Sequence, residues 1–247
     1  MKGIVFKIEE MTFHDGDGAR VTVFMKGCPL KCSWCHNPEG ISEKRQLLFT
    51  RARCVGCGLC YKPCNHTDCK PYGRCLHVCP NNCISVCGEE FDEQTLATKL
   101  RSYKRMFDAC GGGVTFSGGE PLLQWSFISK TVDLLEGIST AIETSGFASE
   151  DVFKEMLEKI DFVYMDIKLF DDVAHKMHTG VGNERIKRNF ELLKASGKPF
   201  VVRTPIIESI TDGEENLRKI KEFIGDSVWE KLPENKLAGA KRDMLIL

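Results

Sequence analysis

Apolar positions follow two different periods along most of this chain, and one stretch follows neither. Lys2–Ile8 and Val21–Met25 are short apolar runs on either side of His14-Asp15-Gly16-Asp17-Gly18, so residues 1–27 read as strand, turn and strand. From about residue 92 the pattern alternates. Asp92–Asp108 has acids in its first turn and Leu96, Leu100, Tyr103 and Phe107 at spacings of three and four, which predicts a helix. Val114–Ser117 predicts a short strand, and Pro121–Glu136 a helix with proline in its first turn. Strand Thr140–Thr144, helix Glu150–Lys159, strand Phe162–Ile167, helix Asn183–Ala195, strand Phe200–Pro205 and helix Glu214–Ile224 complete the series. Such alternation forms parallel βαβ units with right-handed crossovers, closed into a barrel or left as an open sheet; the fold class is α/β.

Residues 54–88 break the pattern. They hold nine cysteines and few large aliphatics, so they cannot build a hydrophobic core of their own. A segment of this kind folds when bound metal or cluster replaces the missing apolar burial.

Composition sharpens that reading. Of 13 cysteines, 12 lie between Cys28 and Cys87 in a chain of 247 residues. A disulfide scaffold would be short, secreted and even in cysteine, and the N-terminus here has no apolar leader pattern. The cysteines therefore read as metal or cluster ligands in a reducing, anaerobic cytoplasm. With 34 basic against 35 acidic side chains, nothing in the net charge favours nucleic acid. No run of 18 apolar residues predicts a membrane span.

Gly27-Cys28-Pro29-Leu30-Lys31-Cys32-Ser33-Trp34-Cys35-His36-Asn37-Pro38 places three thiols in eight residues. Soft thiolates so spaced can wrap one small metal site from a single loop. Structural zinc is the plain alternative, but it takes four ligands, and His36 is poorly placed beside Cys35. A cubane on three cysteines leaves one iron open to an exogenous ligand. The C-x3-C-x2-C spacing with Trp34 before its last cysteine resembles the signature of the radical S-adenosylmethionine (SAM) superfamily. Asp15-Gly16-Asp17-Gly18-Ala19-Arg20, Phe24-Met25-Lys26-Gly27, Gly112-Gly113-Val114-Thr115-Phe116-Ser117-Gly118-Gly119-Glu120-Pro121, Ile142-Glu143-Thr144-Ser145-Gly146 and Met165-Asp166-Ile167-Lys168 extend the match. Together these motifs are similar to the glycyl-radical enzyme activating enzymes, the pyruvate formate-lyase activase group.

The resemblance implies a partial (β/α)6 radical SAM barrel over residues 1–50 and 89–247. It implies SAM on a site-differentiated 4Fe-4S cluster held by Cys28, Cys32 and Cys35, with Trp34 and His36 beside the site. Ser117, Gly118, Gly119 and Glu120 would receive the SAM ammonium group, and Asp166, Ile167 and Lys168 would meet its ribose and carboxylate. Without the resemblance, the first motif is an ordinary strand-to-helix turn and Asp166/Lys168 a solvated ion pair. Arg203 is a candidate fork for the SAM carboxylate or a plain strand-end arginine. Glu143, Thr144 and Met165 match a place where activases hold a monovalent cation. Asp15 and Asp17 are candidates to receive the glycine peptide, or members of a plain turn. His175 and His178, flanking Thr179-Gly180, read as structural, and Cys110 as a small buried residue.

Cys54-x2-Cys57-x2-Cys60-x3-Cys64 has bacterial ferredoxin spacing, followed by Cys69-x5-Cys75-x3-Cys79-Pro80 with Tyr72 where a regular second run has cysteine. Residues 51–88 therefore read as a ferredoxin-like insertion after the first strand, with two auxiliary 4Fe-4S clusters; zinc knuckles are the alternative. Crossed ligation gives the first Cys54, Cys57, Cys60 and Cys79. The second takes Cys64, Cys69 and Cys75 plus Cys83 or Cys87. Leu232–Lys241, with Asn235, resembles the family's last SAM-contacting segment, and the chain stops at Leu247 where relatives continue.

The reading that results is a monomeric, cytoplasmic oxidoreductase, reduced by flavodoxin or ferredoxin, that activates a partner glycyl radical enzyme. A radical SAM enzyme acting on a small molecule or peptide keeps the same first cluster. A non-catalytic electron carrier or zinc module would bind no SAM.

Overall fold

The structure, a computed structural model, describes residues 1–234 and the backbone of Met244–Ile246. β1 (Lys2–Thr12) runs antiparallel to β2 (Arg20–Met25). β3 (Gln46–Thr50) and β4 (Ile84–Cys87) then pair antiparallel in a separate small sheet, which a last strand, Met244–Ile246, completes beside β3. β5 (Glu89–Asp92) returns to the free edge of β1. The alternating series follows: α1 (Glu93–Arg101), α2 (Lys104–Cys110), β6 (Gly113–Gly118), α3 (Trp125–Asp133), β7 (Ser139–Thr144), α4 (Glu150–Lys159) and β8 (Phe162–Asp166). α5 (Asp172–Thr179), α6 (Glu184–Ser196), β9 (Phe200–Ile206), α7 (Glu214–Ile224) and β10 (Trp229–Pro233) close it. Strands β2, β6, β7, β8, β9 and β10 are neighbours in that order and all parallel, with β1 and β5 added at one edge. Six parallel strands in sequence order, open between β10 and β5, make the expected partial barrel.

Strand alternation separates core from site. Successive side chains point to opposite faces. Val114, Phe116, Ile142, Val163, Met165 and Val202 join one apolar cluster with Phe153, Phe190 and Leu193 of the helices. Their neighbours Ser117, Glu143, Asp166 and Arg203 line a cavity instead. Each fully buried Phe or Ile of the core contributes about 1.5–3 kcal/mol through burial, so this layer holds the strand ends, and hence the site, in place.

Two expected helices come out shorter. The helix expected over Asp92–Asp108 is two, because Ser102 turns its hydroxyl back to the Lys99 carbonyl at 2.6 Å and Tyr103 leaves the helical region. Asp92 is the cap of the first, accepting from the Thr95 amide at 2.8 Å. Pro121–Gln124 is a 3-10 turn, and the α-helix starts only at Trp125. Cys110 is exposed at the end of α2 rather than buried, since Gly111 turns the chain immediately after it at a φ of +65°.

Between β3 and β4 the chain has only short 3-10 turns. Its apolar cluster is small, with Leu47, Cys83 and Ile84 at the centre and Phe49, Tyr72 and Leu76 packed around them.

Candidate active site

The three-cysteine loop leaves the end of β2 and is laced to its surroundings by backbone. The Gly27 amide donates to Gly40 at 2.7 Å and the Cys28 amide to Ile41 at 2.9 Å. Lys31 and Ser33 donate to the Thr179 and His178 carbonyls at 2.7 and 3.0 Å, so the C-terminal end of α5 carries the loop. His175 braces that end, its Nδ1 lying 2.7 Å from the Val181 carbonyl and 3.0 Å from the Thr179 hydroxyl. The histidines read as structural thus act on the cluster loop through the backbone.

Cys28, Cys32 and Cys35 line a cavity of about 410 Å3 at the C-terminal ends of the parallel strands, where such sheets place their sites. Trp34, His36, Ser117, Gly118, Gly119, Thr144, Asp166, Lys168, Arg203 and Asp15 line it as well. Two expected members do not. Glu120 is fully buried, with its carboxylate accepting from the Thr144 hydroxyl at 2.6 Å and from the Ser145 amide and hydroxyl at 2.8 and 2.5 Å. It fastens β6 to the end of β7. Ile167 belongs to the apolar core. Asn235 lies outside the described residues.

Gly118 and Gly119 serve the loop as much as the cavity. Gly118 sits at a φ of +116°, and a Cβ there would stand 2.3 Å from the Met25 nitrogen. A Cβ on Gly119 would stand 2.2 Å from the Gly27 carbonyl oxygen. The Gly119 and Glu120 amides donate to Met25 and Gly27 at 2.8 and 2.7 Å, joining the glycine turn to the root of the cysteine loop.

Burial pushes the Cys28 thiol up to about 12, with Glu120 adding to it, and raises Cys32 against the opposing pull of Lys168. Both thiols are therefore protonated until a metal displaces the protons. Lys168 Nζ sits 2.6 Å from the Asp166 carboxylate, and the two side chains are 12% and 33% exposed. Burial alone would lower the ammonium's pKa, but the Asp166 carboxylate, joined by Cys32 and Cys28 once they are thiolates, outweighs it and holds it above the ordinary value. Lys168 is thus a fixed cation beside the cysteines.

The opposite wall is a charged network. Arg203 donates to Glu143 at 2.5 Å, to Glu230 at 2.8 Å and to the His14 carbonyl at 2.9 Å, and stacks 3.7 Å over the Tyr164 ring. Its fork is engaged with protein groups and orients the wall. Ser117 donates to the other Glu143 oxygen at 2.5 Å. Burial and then Asp15 push the Glu143 carboxyl up to about 7 against the pull of Arg203. Asp15 accepts from Thr22 at 2.6 Å, while Asp17 offers its carbonyl to Arg20 at 3.4 Å.

In the cysteine-rich segment, Cys54, Cys57, Cys60, Cys79 and Cys83 line a second cavity of about 230 Å3. Cys64, Cys69 and Cys75 gather elsewhere, with His66. Neither expected fourth ligand joins them. Cys83 neighbours Cys79 and Cys54 because the turn after Pro80 brings its amide to the Cys79 sulfur at 3.4 Å. Cys87, at the end of β4, points at the barrel, where the fully buried Lys26 ammonium lies 3.8 Å from its sulfur and donates to the Glu39 carbonyl at 2.6 Å.

The donor set fits a cluster: three thiols with, among the described residues, no fourth thiol on the cavity wall, a fixed lysine beside them, and open space in front. Residues 22–220 match the Radical SAM superfamily. The chain is 37% identical over 257 residues to the 4-hydroxyphenylacetate decarboxylase activating enzyme of Clostridium scatologenes, which covers 93% of this chain and 81% of that protein. The chain belongs to the glycyl-radical enzyme activating enzymes of the radical SAM superfamily. This radical SAM chain is also 32% identical to the (2S)-3-sulfopropanediol dehydratase activating enzyme of Klebsiella oxytoca over 93% of its length and 79% of the relative. Among solved structures, anSMEcpe with bound AdoMet shares the fold, with a TM-score of 0.53 at 16% identity over 85% of this chain and 49% of that one.

Leu232 and Pro233, the start of the segment that resembles the family's last SAM-contacting stretch, line the cavity from β10. Sequence reasoning passed over Glu230, which anchors Arg203; nothing in the local sequence marks it, and only the closing register of β10 on β9 brings it to the site. His66 did carry a signal, two residues after Cys64 in a run short of one cysteine.

Proposed function

We propose that this chain cleaves SAM reductively and uses the product radical to take a hydrogen atom from a backbone glycine of a partner enzyme. The observation that carries the reading is the convergence of Cys28, Cys32 and Cys35 with the glycine turn and the Asp166/Lys168 pair on one cavity. When bound, cluster and SAM supply the chemistry: one electron divides the sulfonium into methionine and a 5′-deoxyadenosyl radical. The chain's own residues do the rest. The three thiols, once deprotonated, hold the cluster, and Lys168 offsets their charge. Gly118 and Gly119 expose backbone at the end of β6, Asp166 stands ready for hydroxyls, and Trp34 and Leu30 line the cavity with apolar surface that excludes water. His14 and Asp15 stand on the opposite lip, where a glycine peptide would enter. A monovalent cation at Glu143 and Thr144 would compete with Arg203 for the same carboxylate, so the reading gives it no role.

The five-cysteine cavity takes one auxiliary 4Fe-4S cluster on Cys54, Cys57 and Cys60, with Cys79 and Cys83 both near its fourth corner; it passes electrons inward from flavodoxin or ferredoxin. The chain acts as a monomer that binds its partner transiently. Relatives named as activating enzymes of a 4-hydroxyphenylacetate decarboxylase, a (2S)-3-sulfopropanediol dehydratase and a choline trimethylamine-lyase support a partner of that kind. The test mixes reduced, reconstituted protein and SAM with candidate partners and records electron paramagnetic resonance spectra. A glycine-centred doublet that appears with a partner and vanishes when its glycine is replaced is the expected result. SAM cleavage with no doublet from any such partner, but with a modified small molecule or peptide, would favour the alternative substrate class.

A further inference from the structure

We propose that Cys64, His66, Cys69 and Cys75 form a separate site for a single zinc-type ion, not a second cubane. The donor atoms of these four residues all lie within 4.8 Å of one another. Zinc with Zn–S of about 2.3 Å and Zn–N of about 2.0–2.1 Å, at the centre of a tetrahedron, spaces its donors roughly 3.5–3.8 Å apart. The Cys75 sulfur stands 3.8 Å from His66 Nδ1. A cubane spreads its thiolates more widely, one on each iron. Among the described residues no three thiols of the active-site loop or of the five-cysteine cavity are so tightly gathered.

Ligand count points the same way. Tyr72 occupies the position where a regular cluster run supplies its next thiol, and Cys83 and Cys87 are committed elsewhere. Three thiolates and one imidazole form a closed structural zinc set. Cys69 and Cys75 are buried, and His66 caps the group from the exposed side. The neighbouring His77 is not the fourth donor: its Nε2 is held by Asp68 at 2.7 Å, and its ring packs edge-on against His66 at 4.7 Å. That pair orients the imidazole that would bind the ion. The rival is a cubane in the groove of about 220 Å3 beside Cys64, Cys69 and Cys75, which His66 does not line.

This inference stands apart from the choice of partner and is read by metal content. Full-length protein is prepared anaerobically from cells supplied with both iron and zinc, as wild type, His66→Ala, His77→Ala and Cys69→Ser. The expected wild type holds about eight irons, for two cubanes, and about one zinc, whose X-ray absorption shows three sulfurs and one nitrogen. His66→Ala and Cys69→Ser lose most of the zinc and keep their iron, while His77→Ala keeps both. About twelve irons with no zinc, or zinc unaffected by His66→Ala, would overturn the assignment.

Discussion

The barrel and the cysteine-rich segment are held together by different physics, and each was legible for that reason in a different way. In the barrel, Phe116, Ile142, Phe153 and Phe190 are fully buried in one continuous apolar layer. Between β3 and β4 the apolar cluster is centred on three residues, one of them Cys83, with Cys60 and Cys79 packed against it, in a segment that holds nine cysteines over residues 54–88. Burial of apolar surface specifies the first; ligand bonds must specify the second. The lesson is that the period of hydrophobic residues locates structure only where hydrophobicity is the organising force.

Metal removal divides the two most sharply. Chelation under reducing conditions should abolish amide-exchange protection over residues 51–83 and leave β6–β9 protected. Uniform loss in both would break the comparison. The converse experiment is Phe116→Ala, expected to destabilise the barrel by about 3–5 kcal/mol in denaturant titrations while the metal content of the refolded protein stays constant.

A third experiment concerns charge inside the barrel. The fold raises the Glu143 carboxyl from its ordinary value to about 7, so it favours the protonated form. Stability from this group is complete below about pH 4.5 and is lost as pH rises towards 7. Glu143→Gln mimics the protonated form. Relative to that variant, the metal-free wild type should lose up to about 3 kcal/mol between pH 5 and pH 8. A difference independent of pH would show that Arg203 fully compensates the carboxylate. The smallest expected effect is Asp92→Ala, which removes the cap of α1 and should cost about 1 kcal/mol with no change in metal content.

Much of the fold could be read from the sequence because its signals were local. Helices Glu150–Lys159 and Glu214–Ile224 have the expected bounds, their apolar residues repeating at helical spacing. The three thiols, the glycine turn and Asp166/Lys168 converge as their strand-end positions implied. What could not be read depends on tertiary neighbours. Glu120 follows the glycine turn directly, yet it faces Thr144 and Ser145 instead of the cavity. For Arg203 the sequence left a ligand fork and a plain strand-end arginine open, and its partners Glu143, Glu230 and the His14 carbonyl are all remote in sequence. Cysteine spacing suggested crossed ligation, and Cys54, Cys57, Cys60 and Cys79 do line one cavity; spacing could not show that the path after Pro80 takes Cys83 to Cys79 and Cys54, or that β4 carries Cys87 away to Lys26.

The central claim is that the loop bearing Cys28, Cys32 and Cys35 is where SAM is cleaved. The direct measurement is 5′-deoxyadenosine formed by reduced, reconstituted wild type and by Cys32→Ala, with iron counted in each. The account predicts that the variant makes none and lacks about four irons, one cubane, while its remaining iron is unchanged. Equal 5′-deoxyadenosine from both proteins would contradict it.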